Sequence, residues 1–286
     1  MDEHLKVENV SKSFKGFQLH DISFTLPKGY IMGLIGPNGS GKTTTIKLLL
    51  NMLKRESGQI QIMGMDNVEH EREIKSLLGV VFDSNYLCDS WTVAQSEKAV
   101  SMFYNNWDHQ KFAELLARFQ IDKAKKVKEL SKGMQMKLML ACALSYDAKL
   151  LILDEPTGGL DPVSRDELLG LLSAYIEDGE HSVLYSTHIT SDLERAADFI
   201  TYIRRGEVFF TGEKDAFVNM YRVVKGGLED LTPEISRLCI GVRRHPTGFE
   251  ALVPAEQLSA CSGLVVEPAS IDDIMVFTNR KGENDD

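Results

Sequence analysis

Short apolar runs and amphipathic stretches alternate along most of the chain. Apolar runs around Leu150, Val183 and Ile200 are typical of strands that are buried on both faces of a sheet. The stretch Pro162–Tyr175 between two of these runs has the pattern of a helix. Strands that alternate with helices predict an α/β fold in which both faces of a parallel sheet are covered.

The same patterning divides the chain into regions. Residues 5–82 predict an N-terminal antiparallel β layer that leads into the first strand and helix of the parallel core. Residues 84–148 carry apolar positions at helical spacing and predict a helical subdomain. We expect the core domain, residues 1–217, to end near Phe217.

The remaining residues, 218–286, have a different pattern. Four short strand-like segments separated by Gly and Pro turns precede a helical segment at residues 271–277, which predicts a small C-terminal α/β appendage. This segment carries no catalytic combination of residues, so a role in dimer contacts or regulation and a purely structural extension both stay open. We expect the charged tail, residues 281–286, to be disordered.

Composition narrows the classes of function. The 286 residues carry a formal net charge of −10 and a pI near 5.3, which argues against nonspecific binding to nucleic acid. The four cysteines form no C-x-x-C pair, which is typical of reduced thiols in a cytoplasmic protein. The N-terminus lacks a secretory signal, and no apolar run approaches the roughly 20 residues that cross a bilayer.

A glycine-rich segment, GPNGSGKT, lies between a buried strand predicted at residues 30–35 and a helix predicted at residues 44–53. In this context the pattern G-x-x-x-x-G-K-T predicts a loop whose backbone N–H groups bind phosphate at a helix N-terminus; a chance glycine-rich turn is the alternative. Lys42 is then expected to reach the β and γ phosphates of ATP, and the Thr43 hydroxyl to bind Mg²⁺. The candidate nucleotide-binding residues of this segment are Gly36, Pro37, Asn38, Gly39, Ser40, Gly41, Lys42, Thr43 and Thr44.

Two acidic residues, Asp154 and Glu155, follow the apolar run at residues 150–153. A parallel strand would deliver them to the edge of the sheet where ligands bind. We interpret Asp154 as a ligand of Mg²⁺ and Glu155 as the general base that polarises the attacking water. Adjacent carboxylates repel each other, so the pair favours a bound cation; a solvated strand end is the alternative.

These motifs resemble those of the nucleotide-binding subunits of ATP-binding cassette (ABC) transporters, and the resemblance covers residues 5–217. Its most specific element is LSKGM at residues 130–134, which is similar to the family's LSGGQ signature, with Lys132 in place of a glycine and Met134 in place of the glutamine. The resemblance implies that Ser131 and Gly133 contact ATP. Ser131 also suits the N-cap of a helix, and both interpretations can hold.

Three further residues each resemble a functional residue of the family, and each could also have a purely structural role. Phe14 resembles the aromatic residue that stacks on adenine, although it could be an ordinary strand residue. Asp161 resembles the aspartate of the D-loop, which helps to bridge two subunits, although Asp-Pro also suits a turn. His188 resembles the histidine that contacts the γ-phosphate, although a lone histidine is more often structural.

One position departs from the family pattern. Asp83 stands after a strand at residues 79–82, where the family usually has a glutamine that senses Mg²⁺ and water. An aspartate still offers oxygen to Mg²⁺, but its side chain is one methylene shorter and carries a charge. Our hypothesis is that Asp83 keeps the sensing role in an altered form.

The resemblance also implies partners. It places the signature too far from its own phosphate loop to reach the same ATP, so two subunits, identical or paralogous, would pair head to tail around ATP. A separate transmembrane permease would hold this chain at the inner face of the membrane, and no nucleic-acid partner is expected. The match is closest to bacterial ABC-2-type exporter ATPases for antimicrobial peptides, bacitracin-like antibiotics or toxin peptides.

Two other classes of protein remain as alternatives. One is a soluble ABC protein that acts on the ribosome or on nucleic acid; such proteins usually carry two cassettes or long insertions, and this chain carries neither. The other is a phosphate-loop kinase that phosphorylates a small molecule. Kinases of that type lack the signature and the switch histidine, so dependence of activity on Ser131 and His188 would exclude them.

Overall fold

A computed structural model describes residues 2–280 of the chain and divides it into two compact units between Thr211 and Gly212. The division lies earlier than the boundary expected near Phe217. Phe217 is fully buried, and its ring packs edge-on against Tyr221 at a centroid distance of 6.2 Å. Contacts of this kind assign the helix that carries Phe217 to the C-terminal unit.

The N-terminal unit contains strands and helices in alternation. Its strands are β1 (Glu3–Phe14), β2 (Phe17–Pro27), β3 (Ile31–Ile35), β4 (Ser57–Ile62), β5 (Met65–Asp66), β6 (Leu78–Val81), β7 (Leu150–Asp154), β8 (Ser182–Thr187), β9 (Phe199–Arg204) and β10 (Glu207–Glu213), whose last two residues already belong to the C-terminal unit. Its helices are α1 (Lys42–Leu49), α2 (Glu71–Leu77), α3 (Val93–Ser101), α4 (His109–Arg118), α5 (Lys132–Leu144), α6 (Pro162–Tyr175) and α7 (Thr190–Ala196), with a 3₁₀ turn at Val127–Glu129.

Two sheets build this unit. The first has the order β2-β1-β4-β5 and is antiparallel, as predicted for the N-terminal layer. The second has the order β10-β9-β3-β8-β7-β6, and its strands β9, β3, β8, β7 and β6 run parallel. Strands β3, β7 and β8 are buried along their whole length, which is why β3 and the first four residues of β7 read as apolar runs. Strand β8 is apolar only in its middle, at residues 183–185. The predicted α/β fold is confirmed.

Helix α1 is held between the two sheets. Its Ile46 and Leu49 belong to one buried cluster that also contains Leu5 and Ile22 of the antiparallel layer and Leu34 of β3. Close packing of this kind resists small displacements, and truncation of Ile46 to alanine would cost roughly 2–5 kcal/mol. The core therefore fixes where the first turn of α1 and the loop before it lie.

Helices α3, α4 and α5 follow β6 and occupy the stretch expected to be helical. Each begins at a polar side chain that accepts a hydrogen bond from a backbone N–H of its first turn: Thr92 for α3, Asp108 for α4 and Ser131 for α5. The apolar spacing of α4 buries Phe112 and Leu116.

The C-terminal unit is a small α/β layer of its own. Its elements are α8 (Lys214–Asn219), β11 (Tyr221–Gly226), α9 (Pro233–Leu238), β12 (Gly241–His245), β13 (Gly248–Pro254), β14 (Val265–Pro268) and α10 (Ile271–Arg280). The strands form an antiparallel sheet in the order β12-β13-β11-β14. The short helices α8 and α9 went unpredicted because six residues show too little periodicity. The tail expected to be disordered, residues 281–286, lies outside the described residues.

Candidate functional site

A cavity of about 840 Å³ opens at the carboxyl edge of the parallel sheet. It collects segments that follow four different parallel strands, β3, β6, β7 and β8, as expected for ligand sites in open α/β sheets. The residues that line it are Gly16, Phe17, Asn38, Gly39, Gly41, Lys42, Thr43, Thr44, Asp83, Lys132, Glu155, Gly158, Gly159 and His188.

The loop between β3 and α1 is shaped by its glycines. A Cβ atom on Gly36 would lie 2.1 Å from the Ile203 carbonyl oxygen, so only glycine fits there. Gly41 ends the loop in a left-handed conformation, φ 116°, and caps α1. The loop thus delivers the first turn of α1, with its unpaired N–H groups, to the cavity.

Lys42 is the first residue of α1, and its side chain folds back over the loop. Nζ donates to the Gly36 carbonyl at 2.8 Å and lies 3.6 Å from Glu155 Oε1, while the residue is only 6% exposed. In the described part of the chain, the buried Ser40 hydroxyl next to it has no hydrogen-bond partner. A buried donor of this kind gains a partner if a phosphate oxygen enters the loop.

Thr43 and Asp154 meet at the edge of the cavity. The Thr43 hydroxyl donates to Asp154 Oδ1 at 3.2 Å, and the Ser186 hydroxyl donates to the same oxygen at 2.6 Å. Asp154 is buried at the end of β7, and its second oxygen is not taken by these bonds. A hydroxyl and a carboxylate beside a phosphate loop are the hard oxygen ligands that Mg²⁺ prefers, so the donor set fits this ion.

Glu155 follows Asp154 in a backbone conformation that is uncommon for a residue with a side chain, φ 50°. Its N–H donates to the Ser186 hydroxyl at 3.0 Å and to the Ser186 carbonyl at 3.2 Å, which holds that conformation. Its carboxylate lies between Lys42 and His188, with Oε2 2.7 Å from His188 Nδ1. Strained backbone that is fixed in this way is frequent at functional sites.

Asp83 and Lys132 lie on the other side of the cavity. Asp83 follows β6 and Lys132 begins α5, and Lys132 Nζ donates to Asp83 Oδ1 at 3.0 Å. Both side chains are exposed. Lys132 of the signature segment therefore lines the same cavity as Lys42 and Thr43. That the signature residues do not reach the ATP of their own chain stays a prediction.

Ser131 and Gly133, the signature residues expected to contact ATP, are not among the described residues that line this cavity. The Ser131 hydroxyl accepts a hydrogen bond from the Met134 N–H at 3.2 Å, so its N-cap role is present. Asp161 likewise caps α6, accepting from the Val163 and Ser164 N–H groups. The Ser164 side chain, followed by these backbone hydrogen bonds, holds the pKa of Asp161 below its usual value.

The aromatic residue at the cavity is not the expected one. Phe14 is 41% exposed at the end of β1, whereas Phe17 lines the cavity. The two rings are stacked with centroids 6.4 Å apart, so they share one surface. Phe17 carries no signal in the sequence, because the tight turn that joins β1 and β2 decides which ring faces the phosphate loop. Ser186 was not predicted either, and its position near the end of a buried strand beside β7 was the available signal.

A second cavity, of about 360 Å³, is apolar and lies beside β6, α3 and α5. Phe103 at its rim is 82% exposed, and the neighbouring Met102 is 73% exposed. Tyr104 and Tyr146 stack at its floor with centroids 3.6 Å apart, and burial raises the pKa of Tyr146 far above its usual value. Large apolar side chains that stay exposed around a groove are typical of interaction sites.

Known proteins are similar to this chain in fold and in sequence. A family model described as "ABC transporter" matches residues 19–158. The lantibiotic transport ATP-binding protein SrtF of Streptococcus pyogenes is 34% identical over 220 residues, which cover 76% of this chain and 93% of that protein. A solved ATP-binding subunit of an ABC transporter superposes with a TM-score of 0.68 at 27% identity, covering 74% and 90% of the two chains. The dimeric bacterial ABC transporter cassette MJ0796 has a TM-score of 0.66 at 24% identity, covering 73% and 98%.

The chain belongs to the ABC transporter family and is an ATP-binding, ATP-hydrolysing subunit. The sequence-based prediction of this class is confirmed, and the comparisons do not support the alternatives of a ribosome-associated protein or a small-molecule kinase. Among the described residues, no helix combines the length and apolar character that a bilayer crossing requires. Family members of this kind associate with membrane permeases.

Proposed function

We propose that this chain is the ATPase subunit of an exporter and that it drives a separate membrane permease through an ATP-dependent dimer. One observation carries the proposal: Lys42, the Thr43–Asp154 pair and the Glu155–His188 pair all converge on one cavity. These groups provide a phosphate cradle, oxygen ligands for a cation, and a base held in place by a histidine.

We assign the roles as follows. Thr43 and Asp154 would hold Mg²⁺, which neutralises phosphate charge when it is bound. Lys42 exchanges its contact with the Gly36 carbonyl for phosphate oxygens. Glu155 orients and deprotonates the attacking water, and His188 holds the Glu155 carboxylate in place and faces the γ-phosphate. Positioning and charge neutralisation supply most of the acceleration in phosphoryl transfer.

The dimer is proposed from the residues that lie outside the cavity. Ser131 and Gly133 sit at the N-terminus of α5, and Asp161 sits at that of α6. Helix N-termini attract anions, so a second copy or a paralogous subunit could place its ATP against Ser131 and Gly133. The similar cassette MJ0796 is dimeric, which supports the proposal.

The apolar groove around Phe103 is our candidate for the permease contact. It shares the region after β6 with Asp83, which lines the ATP cavity, so a partner in the groove would sense changes at the nucleotide. Export of an amphipathic peptide is proposed from the similarity to SrtF, whose name describes lantibiotic transport. The membrane partner, rather than this chain, would select the solute.

The test is to express tagged Glu155→Gln protein in its host, solubilise the membranes in the presence of Mg²⁺ and ATP, and identify co-purified proteins by mass spectrometry. We expect a polytopic membrane protein, together with ATPase activity in the wild type that the variant lacks. The matched control is Glu177→Gln, which changes an exposed glutamate outside the cavity and should hydrolyse ATP normally. Recovery of ribosomal proteins, or of nothing from the membrane fraction, would contradict the proposal.

A further inference from the structure

Asp192 is a buried carboxylate to which the proposed mechanism gives no role. It lies in the first turn of α7 and is 1% exposed. In the part of the chain that the structure describes, its one ion pair is a long contact with α6, where Arg165 Nε lies 3.8 Å from Asp192 Oδ1. Burial raises the pKa of Asp192, and the Thr157 hydroxyl and Arg165 oppose this rise. A carboxylate with one distant cation is costly to bury.

Polar atoms around this carboxylate lack hydrogen-bond partners. Among residues 2–280, Asp192 Oδ2, Arg165 Nε and Thr157 Oγ1 are buried and form no hydrogen bond. Such atoms are rare in native proteins and lower stability. Stability therefore does not explain why residue 192 is an aspartate. Buried ionisable groups that lower stability are frequent where they serve the function of a protein.

The carboxylate lies between the two segments that carry Glu155 and His188. Thr157 is the second residue after Glu155, and α7 begins two residues after His188. After burial, Thr157 and Arg165, the Glu155 and His188 side chains also act on the pKa of Asp192, so both are near it. His188 Nδ1 lies 2.7 Å from Glu155 Oε2, although the His188 side chain is 52% exposed. Because half of this side chain is in solvent, its place beside Glu155 depends on how firmly the neighbouring backbone is held.

We propose that Asp192 is a positioning residue for ATP hydrolysis. Its carboxylate ties the first turn of α7 to Thr157 and Arg165, which both follow Glu155 in the chain. This tie keeps the His188 ring on the Glu155 carboxylate. Asp192 is not among the described residues that line the nucleotide cavity, so it acts through His188. The inference rests on the proposed roles of Glu155 as the base and of His188 as the group that holds it.

The test compares Asp192→Asn with the matched control Asp166→Asn. Each substitution removes a carboxylate from an ion pair between α6 and α7, but the pair of Asp166 with Arg195 is exposed. The ATPase rate of the full chain is measured against ATP concentration at saturating Mg²⁺, well below the unfolding temperature of every variant. Thermal unfolding is measured in the same buffer. Asp192→Glu, which keeps the carboxylate, tests rescue, and a crystal structure of Asp192→Asn shows where the His188 ring lies.

We expect Asp192→Asn to lower kcat about five- to tenfold and to leave KM for ATP within about twofold, because the phosphate loop is unchanged. Its unfolding temperature should rise or stay within about 2 °C of the wild type, since the Arg165 side chain is 29% exposed and reaches water when unpaired. Asp192→Glu should keep at least about half of the wild-type kcat. Asp166→Asn should change kcat by less than about twofold. In the crystal structure of Asp192→Asn, the His188 ring should lie beyond hydrogen-bonding distance of the Glu155 carboxylate.

Three outcomes would overturn the inference. The first is a wild-type kcat in Asp192→Asn. The second is an Asp192→Asn protein that fails to fold or unfolds at a clearly lower temperature, which would assign Asp192 a structural role. The third is a lower kcat with the contact between His188 and Glu155 intact in the crystal structure. A failure of the proposed function is distinct from all three, because it would appear as a wild-type rate in His188→Ala or in Glu155→Gln.

Discussion

The two sides of the nucleotide cavity differ in how firmly their side chains are held. The phosphate wall is formed by Lys42, Thr43, Glu155 and His188 around Asp154. Lys42 and Asp154 are 6% and 4% exposed and the Glu155 side chain is 18% exposed, whereas Thr43 and His188 are exposed. The signature wall, formed by Asp83 and Lys132, is about 60% exposed in both side chains.

This difference indicates which side of the cavity carries out ATP hydrolysis. Buried, hydrogen-bonded groups are preorganised and cost no rearrangement when charge develops, so Lys42, Asp154 and Glu155 of the phosphate wall suit catalysis. Exposed groups with weak partners respond to a ligand, so the signature wall suits sensing. Large losses of activity are therefore expected from changes on the first wall, and changes in ligand dependence from changes on the second.

The largest effect is expected for Glu155→Gln on the phosphate wall. Loss of the general base should lower the rate of ATP hydrolysis by about 100-fold or more, with little change in nucleotide affinity. Phosphate release measures the rate, and Glu177→Gln is the control. A fall of less than about threefold would mean that Glu155 is not the base.

Ser186→Ala tests whether ATP hydrolysis depends on Asp154 and Glu155 being held in place. Its hydroxyl donates to Asp154 and accepts from the Glu155 N–H, so its loss leaves two buried groups without this partner. We expect about a tenfold lower ATPase rate and a free energy of unfolding lowered by about 1–3 kcal/mol. Ser173→Ala, which removes an exposed hydroxyl from α6, serves as the comparison in both the rate assay and urea unfolding. A wild-type ATPase rate in Ser186→Ala would show that hydrolysis does not require this hydroxyl to hold Asp154 and Glu155.

Variants of Ser131 distinguish its structural role, the capping of α5, from a functional role in contacting ATP. Ser131→Ala should lower the free energy of unfolding by about 1 kcal/mol through loss of the α5 cap, whereas Ser131→Asn should retain the cap. If the hydroxyl also contacts the ATP of a partner subunit, both variants should hydrolyse ATP more slowly. Full activity in Ser131→Asn, measured beside urea unfolding, would leave only the capping role.

The smallest effect is expected for Asp83→Ala on the signature wall. We expect the maximal rate to change little and the Mg²⁺ concentration for half-maximal ATPase to shift by about threefold, because an exposed carboxylate adds little affinity. Asp89→Ala is the control, since Asp89 lies in the same segment and does not line the cavity. An unchanged Mg²⁺ dependence would show that Asp83 has no sensing role.

Some features could be predicted from the sequence because they depend on residues that are close together along the chain. The bounds Pro162–Tyr175 of α6 agree with the predicted helix, and the buried β7 ends at the acidic pair, as its apolar run indicated. The phosphate loop needs glycines at set positions, so its motif located it together with its strand and helix.

Other features depend on where distant side chains meet. No local pattern shows that Phe17 lines the cavity instead of Phe14, or that the Ser186 hydroxyl supports both Asp154 and Glu155 from the next strand. The division of the chain lies before Phe217, because the burial of Phe217 against Tyr221 is a contact of the C-terminal unit.

The sequence by itself determined the class of fold, the phosphate loop, the acidic pair and the family, because these follow from short motifs and from the period of the apolar residues. Only the tertiary structure decided that Lys132 of the signature segment pairs with Asp83 over the ATP cavity of its own chain. The physical reason is that the direction of a long, exposed side chain is set by the packing of α5 beside β6 and not by the residues next to it.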